Sequence, residues 1–209
     1  MFEYDVIIEN ERTNTKAIIK ECEEYFKQDN TYLCFLTQGD PNTLNIGIKP
    51  IFFDYNTSGY NSYIAEFTTF MWSILIADGY FCPKYHKSSY KNHDNICYMN
   101  NKYKPSIIYE IDNKDKSIKI ECIAKTSRTR VYIINEYLKM LKRKGLEITK
   151  EATYFFIMRI LCIFDLREME ECDRMYCLYF IHLIYRVKEN NKNFQEHLEN
   201  IINNKMEQI

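Results

Sequence analysis

The chain is poor in backbone breakers. Of its 209 residues only five are glycine and four are proline. Pro41, Pro50, Pro83 and Pro105, and every glycine except Gly145, lie between positions 39 and 105. Beyond Pro105 little interrupts a helix, so long C-terminal helices are expected. No 18-residue stretch is apolar and uncharged, which argues against a transmembrane helix and a membrane partner. The opening Met1-Phe2-Glu3-Tyr4-Asp5 lacks the basic and apolar regions of a secretory leader, so the cytosol is the expected address. Also missing are G-x-S-x-G, G-x-x-x-x-G-K-[ST], H-E-x-x-H and G-x-G-x-x-G. The chemistry these motifs bring, from nucleophile elbows to phosphate loops, therefore has no support here.

Apolar residues make up 46% of the chain, enough for a sizeable core in one large or two small domains. The eight cysteines (22, 34, 82, 97, 122, 162, 172 and 177) read as thiols or metal ligands rather than disulfides. Net charge is only −1, but it is unevenly spread. Residues 1–40 carry nine acids against four bases, whereas 79–104 carry five lysines against Asp94. Residues 125–144 carry seven bases against Glu136. Such segregation can mark a binding face.

Periodicity and turn chemistry predict an α+β fold. A mixed N-terminal region, 1–124, would hold a small antiparallel sheet and two helices. A C-terminal bundle of about four helices would span 125–209, and the two regions can share a single core. Thr13 or Asn14 can cap a helix running to about Lys27. Strands are expected at Tyr4–Ile8, Thr31–Leu36 and Leu44–Phe53, and a helix at Tyr60–Ala77. Ile107–Asp112 and Ser117–Ile123 flank a turn and predict a hairpin. Within the bundle, the first helix ends near Lys144 with Gly145 beyond it, and Thr149 can cap a second through Phe164. Asp165 and Asn193 are candidate starts of the third and fourth.

Cys82, His86, His93 and Cys97 form C-x3-H-x6-H-x3-C, a donor set suited to tetrahedral Zn²⁺. Convergence of the four would make 82–97 a loop pinned by structural zinc. The plain alternative is two small apolar cysteines flanking exposed histidines. Lys84, Lys87 and Lys91, interleaved with Tyr85 and Tyr90, would line the outside of that loop. Cations beside aromatic rings suit single-stranded nucleic acid.

A second basic element follows. Counting 100° per residue from Val131, the apolar Ile134, Leu138, Leu141 and Tyr137 fall between roughly 240° and 340°. Arg128, Lys139, Lys142 and Arg143 fall between roughly 20° and 120°. One face would enter the core, and the other could follow phosphates or simply be solvated. Lys125, Arg128 and Arg130, with Thr126, Ser127 and Thr129, lie at a strand-to-helix junction where a phosphate could sit. An ordinary Ser or Thr cap explains the same residues.

Glu168, Glu170, Glu171 and Asp173 read as a solvated acidic face beside Arg167 and Arg174, and His182 reads as a core histidine. The expected function is a non-enzymatic RNA- or ribonucleoprotein-binding protein, for example a ribosome-associated factor. A protein-interaction module such as an inhibitor or assembly subunit is the alternative. A metal-assisted hydrolase at His86 and His93 comes third, and it needs an open position on the metal.

Overall fold

A computed structural model describes residues 2–42, 45, 46, 51, 54–86, 88, 102–189 and 193–209. The fold is mixed α+β. Strands β1 (Asp5–Ile8) and β2 (Glu11–Asn14) form a tight antiparallel pair, turned through Glu9 and Asn10 at positive φ. Helix α1 (Thr15–Lys27) follows directly, with Asn14 Oδ1 accepting from Ala17 N at 2.9 Å. This is one of the two caps expected from the sequence, and it satisfies an otherwise orphaned amide.

β3 (Cys34–Thr37) pairs antiparallel with β4 (Gly59–Ser62) in a small separate sheet. Residues 60–62 do not open a helix, as periodicity predicts. They are β3's partner, and helix α2 begins at Tyr63 and runs to Trp72. Most of the strand expected at 44–53 lies outside the described residues. The turn after β3 needs its glycine: Gly39 has φ +87°, and a Cβ there would collide with the Thr57 carbonyl oxygen. Its N–H donates to Glu66 of α2 at 3.1 Å, and burial raises that carboxyl's pKa.

The chain then stays helical well beyond Ala77. Ser73–Phe81 is a π-helix with every residue buried, and α3 (Cys82–Tyr85) continues it. A helical segment buried on all sides is largely apolar, as this one is apart from Ser73 and Asp78. The Cys82 amide reaches back five residues to Ala77 O. Pro83 lies within this continuous helical run, at the start of α3, where it cannot donate to the preceding turn.

β5 (Ser106–Asp112) and β6 (Ser117–Thr126) form the predicted hairpin. β6 is the hub of the main sheet. Its first residues pair parallel with β1, and its last three pair parallel with β7 (Met206–Gln208). Alternation along β6 turns Ile118, Ile120 and Ala124 into the core and Lys119, Glu121 and Ile123 to solvent.

Four C-terminal helices follow: α4 (Arg128–Arg143), α5 (Ala152–Ile163), α6 (Glu171–Glu189) and α7 (Phe194–Asn204). α4 ends in a complete Schellman motif. Gly145, at φ +68°, donates to Lys142 O, and Leu146 donates to Leu141 O, each at 3.0 Å. α6 starts five residues later than a cap at Asp165 implies. Asp165 is engaged by the Arg167 amide and guanidinium, and Leu166 and Met169 turn inward and are buried. α5 lies between α2 and α6, and α6 covers the sheet at β1, β5 and β6. Buried side chains from both halves of the chain form one continuous cluster, from Val6 to Met206. Among the described residues no helix is long and apolar enough to cross a membrane.

Candidate functional site

The segment from Ser73 to His86 divides its side chains between two surroundings. His86 N donates to Cys82 O at 2.8 Å, the i+4 spacing of a helical turn. Cys82 and His86 therefore share one face. Both line an open cleft of about 350 Å³ together with Asp40, Asp54, Asp78 and Arg159. Arg159 Nη2 donates to Asp40 Oδ1 at 2.6 Å, and Asn42 Nδ2 donates to Asp40 Oδ2 at 2.9 Å. Among the described residues no three histidine, cysteine or acidic side chains are placed to hold a metal ion. His93 and Cys97, the other two expected ligands, lie outside the described residues.

The opposite face of the same turn is not the exposed cationic surface that the sequence suggests. Lys84 and Tyr85 point inward, to Asp173 in the first turn of α6. Asp173, only 1% exposed, accepts from Tyr80 Oη at 2.9 Å, Lys84 Nζ at 2.6 Å and Tyr85 Oη at 2.5 Å. Lys84 also pairs with Glu170 at 2.7 Å, and the Glu170 amide donates to Tyr85 Oη. Burial works against the charge on Lys84, but its bonds to Asp173 and Glu170 more than compensate and hold the ammonium protonated. Burial, reinforced by Asp173, pushes the Tyr85 phenol up to about 12 and raises that of Tyr80. Charges so fully matched are unavailable to a phosphate. The acidic stretch 168–173 is likewise not a uniformly solvated face, because its last member is the buried centre of this network.

The other expected nucleic-acid contacts separate clearly. Lys87, Tyr90 and Lys91 lie outside the described residues. Lys125, half-buried on β6, faces Glu207 of β7 at 3.8 Å. Arg130 turns inward, its guanidinium 4.4 Å from the centre of the Tyr103 ring and against the bare Cα of Gly79. A side chain at Gly79 would occupy the space of that guanidinium. Ser127 is the cap of α4, its Oγ accepting from Arg130 N at 3.3 Å. Arg128, Lys139, Lys142 and Arg143 remain exposed on α4.

Val131, Ile134, Leu138 and Leu141 are buried, and Tyr137 packs on Phe67 and Phe70, as the helical wheel requires. Lys139 contacts Glu136 at 2.8 Å, an exposed, solvent-screened surface pair easily exchanged for a phosphate. The wheel also places a residue that charge patterning alone misses. Tyr132, 64% exposed, falls at roughly 100°, in the middle of the cationic arc. Its position is available from the sequence but hidden among 18 tyrosines.

His182 is a core histidine, as expected. It lies 2.9 Å from Thr15 Oγ1, and burial, helped by Arg186, lowers its pKa to about 3. The seven described cysteines are unbridged thiols. Cys34, exposed on β3, has its thiol against Tyr32 O at 3.6 Å. No protein-family model matches the chain, and comparison with curated proteins and with solved structures yields no match.

Proposed function

We propose that the chain binds single-stranded RNA, free or within a ribonucleoprotein particle, through the outer face of α4 and without catalysing a reaction. The observation that supports this is the stripe Arg128, Tyr132, Lys139 and Arg143, with Lys142 beside it, exposed along a helix whose other face is core. The stripe is about 22 Å long, the rise of fifteen helical residues. A strand following it meets cations along its backbone and one exposed ring on which a base can stack.

Four cations neutralising phosphates give a log affinity against log salt slope of about −3 for a single strand. Combined reversal of Lys139, Lys142 and Arg143 to glutamate is expected to abolish measurable binding of an oligonucleotide in a fluorescence-anisotropy titration. Tyr132→Ala should weaken binding roughly tenfold to a hundredfold, the worth of one stacked base. Wild-type affinity in the reversed variant would remove α4 from the reading. A stoichiometric protein complex free of nucleic acid would replace it with a protein-interaction module. For that role the facing Leu36 and Tyr60, 74% and 82% exposed on the β3–β4 pair, offer the surface.

Structural zinc belongs to the same proposal. Cys82 and His86 on one face of a helical turn suit neighbouring positions in a tetrahedral shell that His93 and Cys97 would complete. The purified protein should carry about one zinc per chain, and a Cys82→Ser/Cys97→Ser variant none. A metal-free wild type would delete zinc from the proposal and leave α4 untouched.

A further inference from the structure

A further cavity lies away from both α4 and the Cys82–His86 cleft. It opens between the β5–β6 hairpin and the start of α6 and holds about 530 Å³. Its apolar lining includes Ile111, Ile118, Leu166 and Met175. Two arginines line it, and they differ. Arg167 is neutralised by Asp165, with contacts of 2.9 and 2.7 Å. Arg174 donates through Nη1 to the carbonyls of Arg167 and Met169, at 3.4 and 3.2 Å. Its Nε is buried and has no acceptor among the described residues. Burial, and then the charge of Glu171, which also lines the cavity, raise the Tyr109 pKa. The hydrogen bonds of Arg174 go to neutral carbonyls, so its charge is left without a carboxylate there, and a ligand anion would supply one.

We propose that this cavity binds a free organic acid: one carboxylate at Arg174 and an apolar body against Ile118, Leu166 and Met175. A carboxylate fits the planar guanidinium fork. The volume lies within the usual range for small-ligand sites, and an apolar lining with one directed charge is their usual construction. The inference is independent of RNA binding by α4.

The test titrates the full-length, methyl-labelled protein with octanoate and, separately, with 1-octanol, following the Ile118 and Met175 methyl resonances. Octanoate should move both resonances and bind about tenfold or more tighter than the alcohol, the worth of one hydrogen bond to a charged partner. In Arg174→Gln the two ligands should become equal, with octanol affinity unchanged. Were that variant unfolded, the wild-type preference and its decline with added salt would decide alone. Equal affinities in the wild type, a preference surviving in Arg174→Gln, or shifts confined to other methyls up to millimolar ligand would each overturn the proposal.

Discussion

Asp173→Ala is expected to lower the unfolding free energy by about 3–5 kcal/mol, the usual cost of removing one partner from a buried ion pair. The carboxylate is buried and serves three donors at once: Tyr80, Tyr85 and Lys84. Without it two phenols lose their acceptor, and Lys84 keeps only Glu170, which is largely exposed. Burial penalises an ammonium that has lost its counter-charge, and a lost acceptor costs more than a pair exchanged for apolar groups. The network also fastens α3 to the start of α6, so the loss should spread to Cys82 and His86. Urea denaturation of Asp173→Ala, Lys84→Met and the double variant tests this. The double variant should recover much of the loss, because it leaves no unmatched charge. A loss below about 1 kcal/mol in Asp173→Ala would show that the network contributes little.

The second large effect concerns acidity. His182 sits on α6 against Thr15, with Arg186 one turn further along and Asp5 of β1 nearby. Burial first, and Arg186 second, lower its pKa to about 3, and Asp5 only partly opposes them. In the unfolded chain the same imidazole titrates near its ordinary value of about 6.5. Between those two values the unfolded state binds a proton that the native state refuses, so stability falls as pH falls. At pH 5 the contribution is a loss of about 2 kcal/mol relative to neutral pH, at about 1.4 kcal/mol per pH unit. The effect is absent above about pH 7. His182→Gln should flatten this stretch of the stability profile measured by urea denaturation from about pH 7 to about pH 4. A variant whose profile parallels the wild type would show that His182 is not the group responsible.

Neither effect is fully legible in the sequence. The apolar neighbours of His182 place it in the core, but Thr15, its hydrogen-bond partner, lies 167 positions away. Asp173 is misplaced altogether by its local pattern. In the sequence it is one of four clustered acids beside two arginines, and only the approach of α3 from a distant segment turns it into a buried acceptor. The same approach removes Lys84 and Tyr85 from the expected RNA surface. Arg130 is lost to that surface in a similar way, through the space above Gly79.

The sequence by itself determined the α+β class, the β5–β6 hairpin, the cap at Asn193 and the Gly145 stop, and it narrowed two further caps to Thr13 or Asn14 and to a Ser or Thr before α4. It also determined which face of α4 is core and which is cationic. Each rests on contacts within a few residues of one another, or on a periodicity that burial must respect. The tertiary structure decided the partner of β3, the continuation of α2 through a π-helix, and the pairing of both β1 and β7 with one edge of β6. It also decided which charges remain available to a ligand. These depend on segments remote in sequence and on the burial they create, and burial determines whether a lysine or an aspartate faces water or another charge.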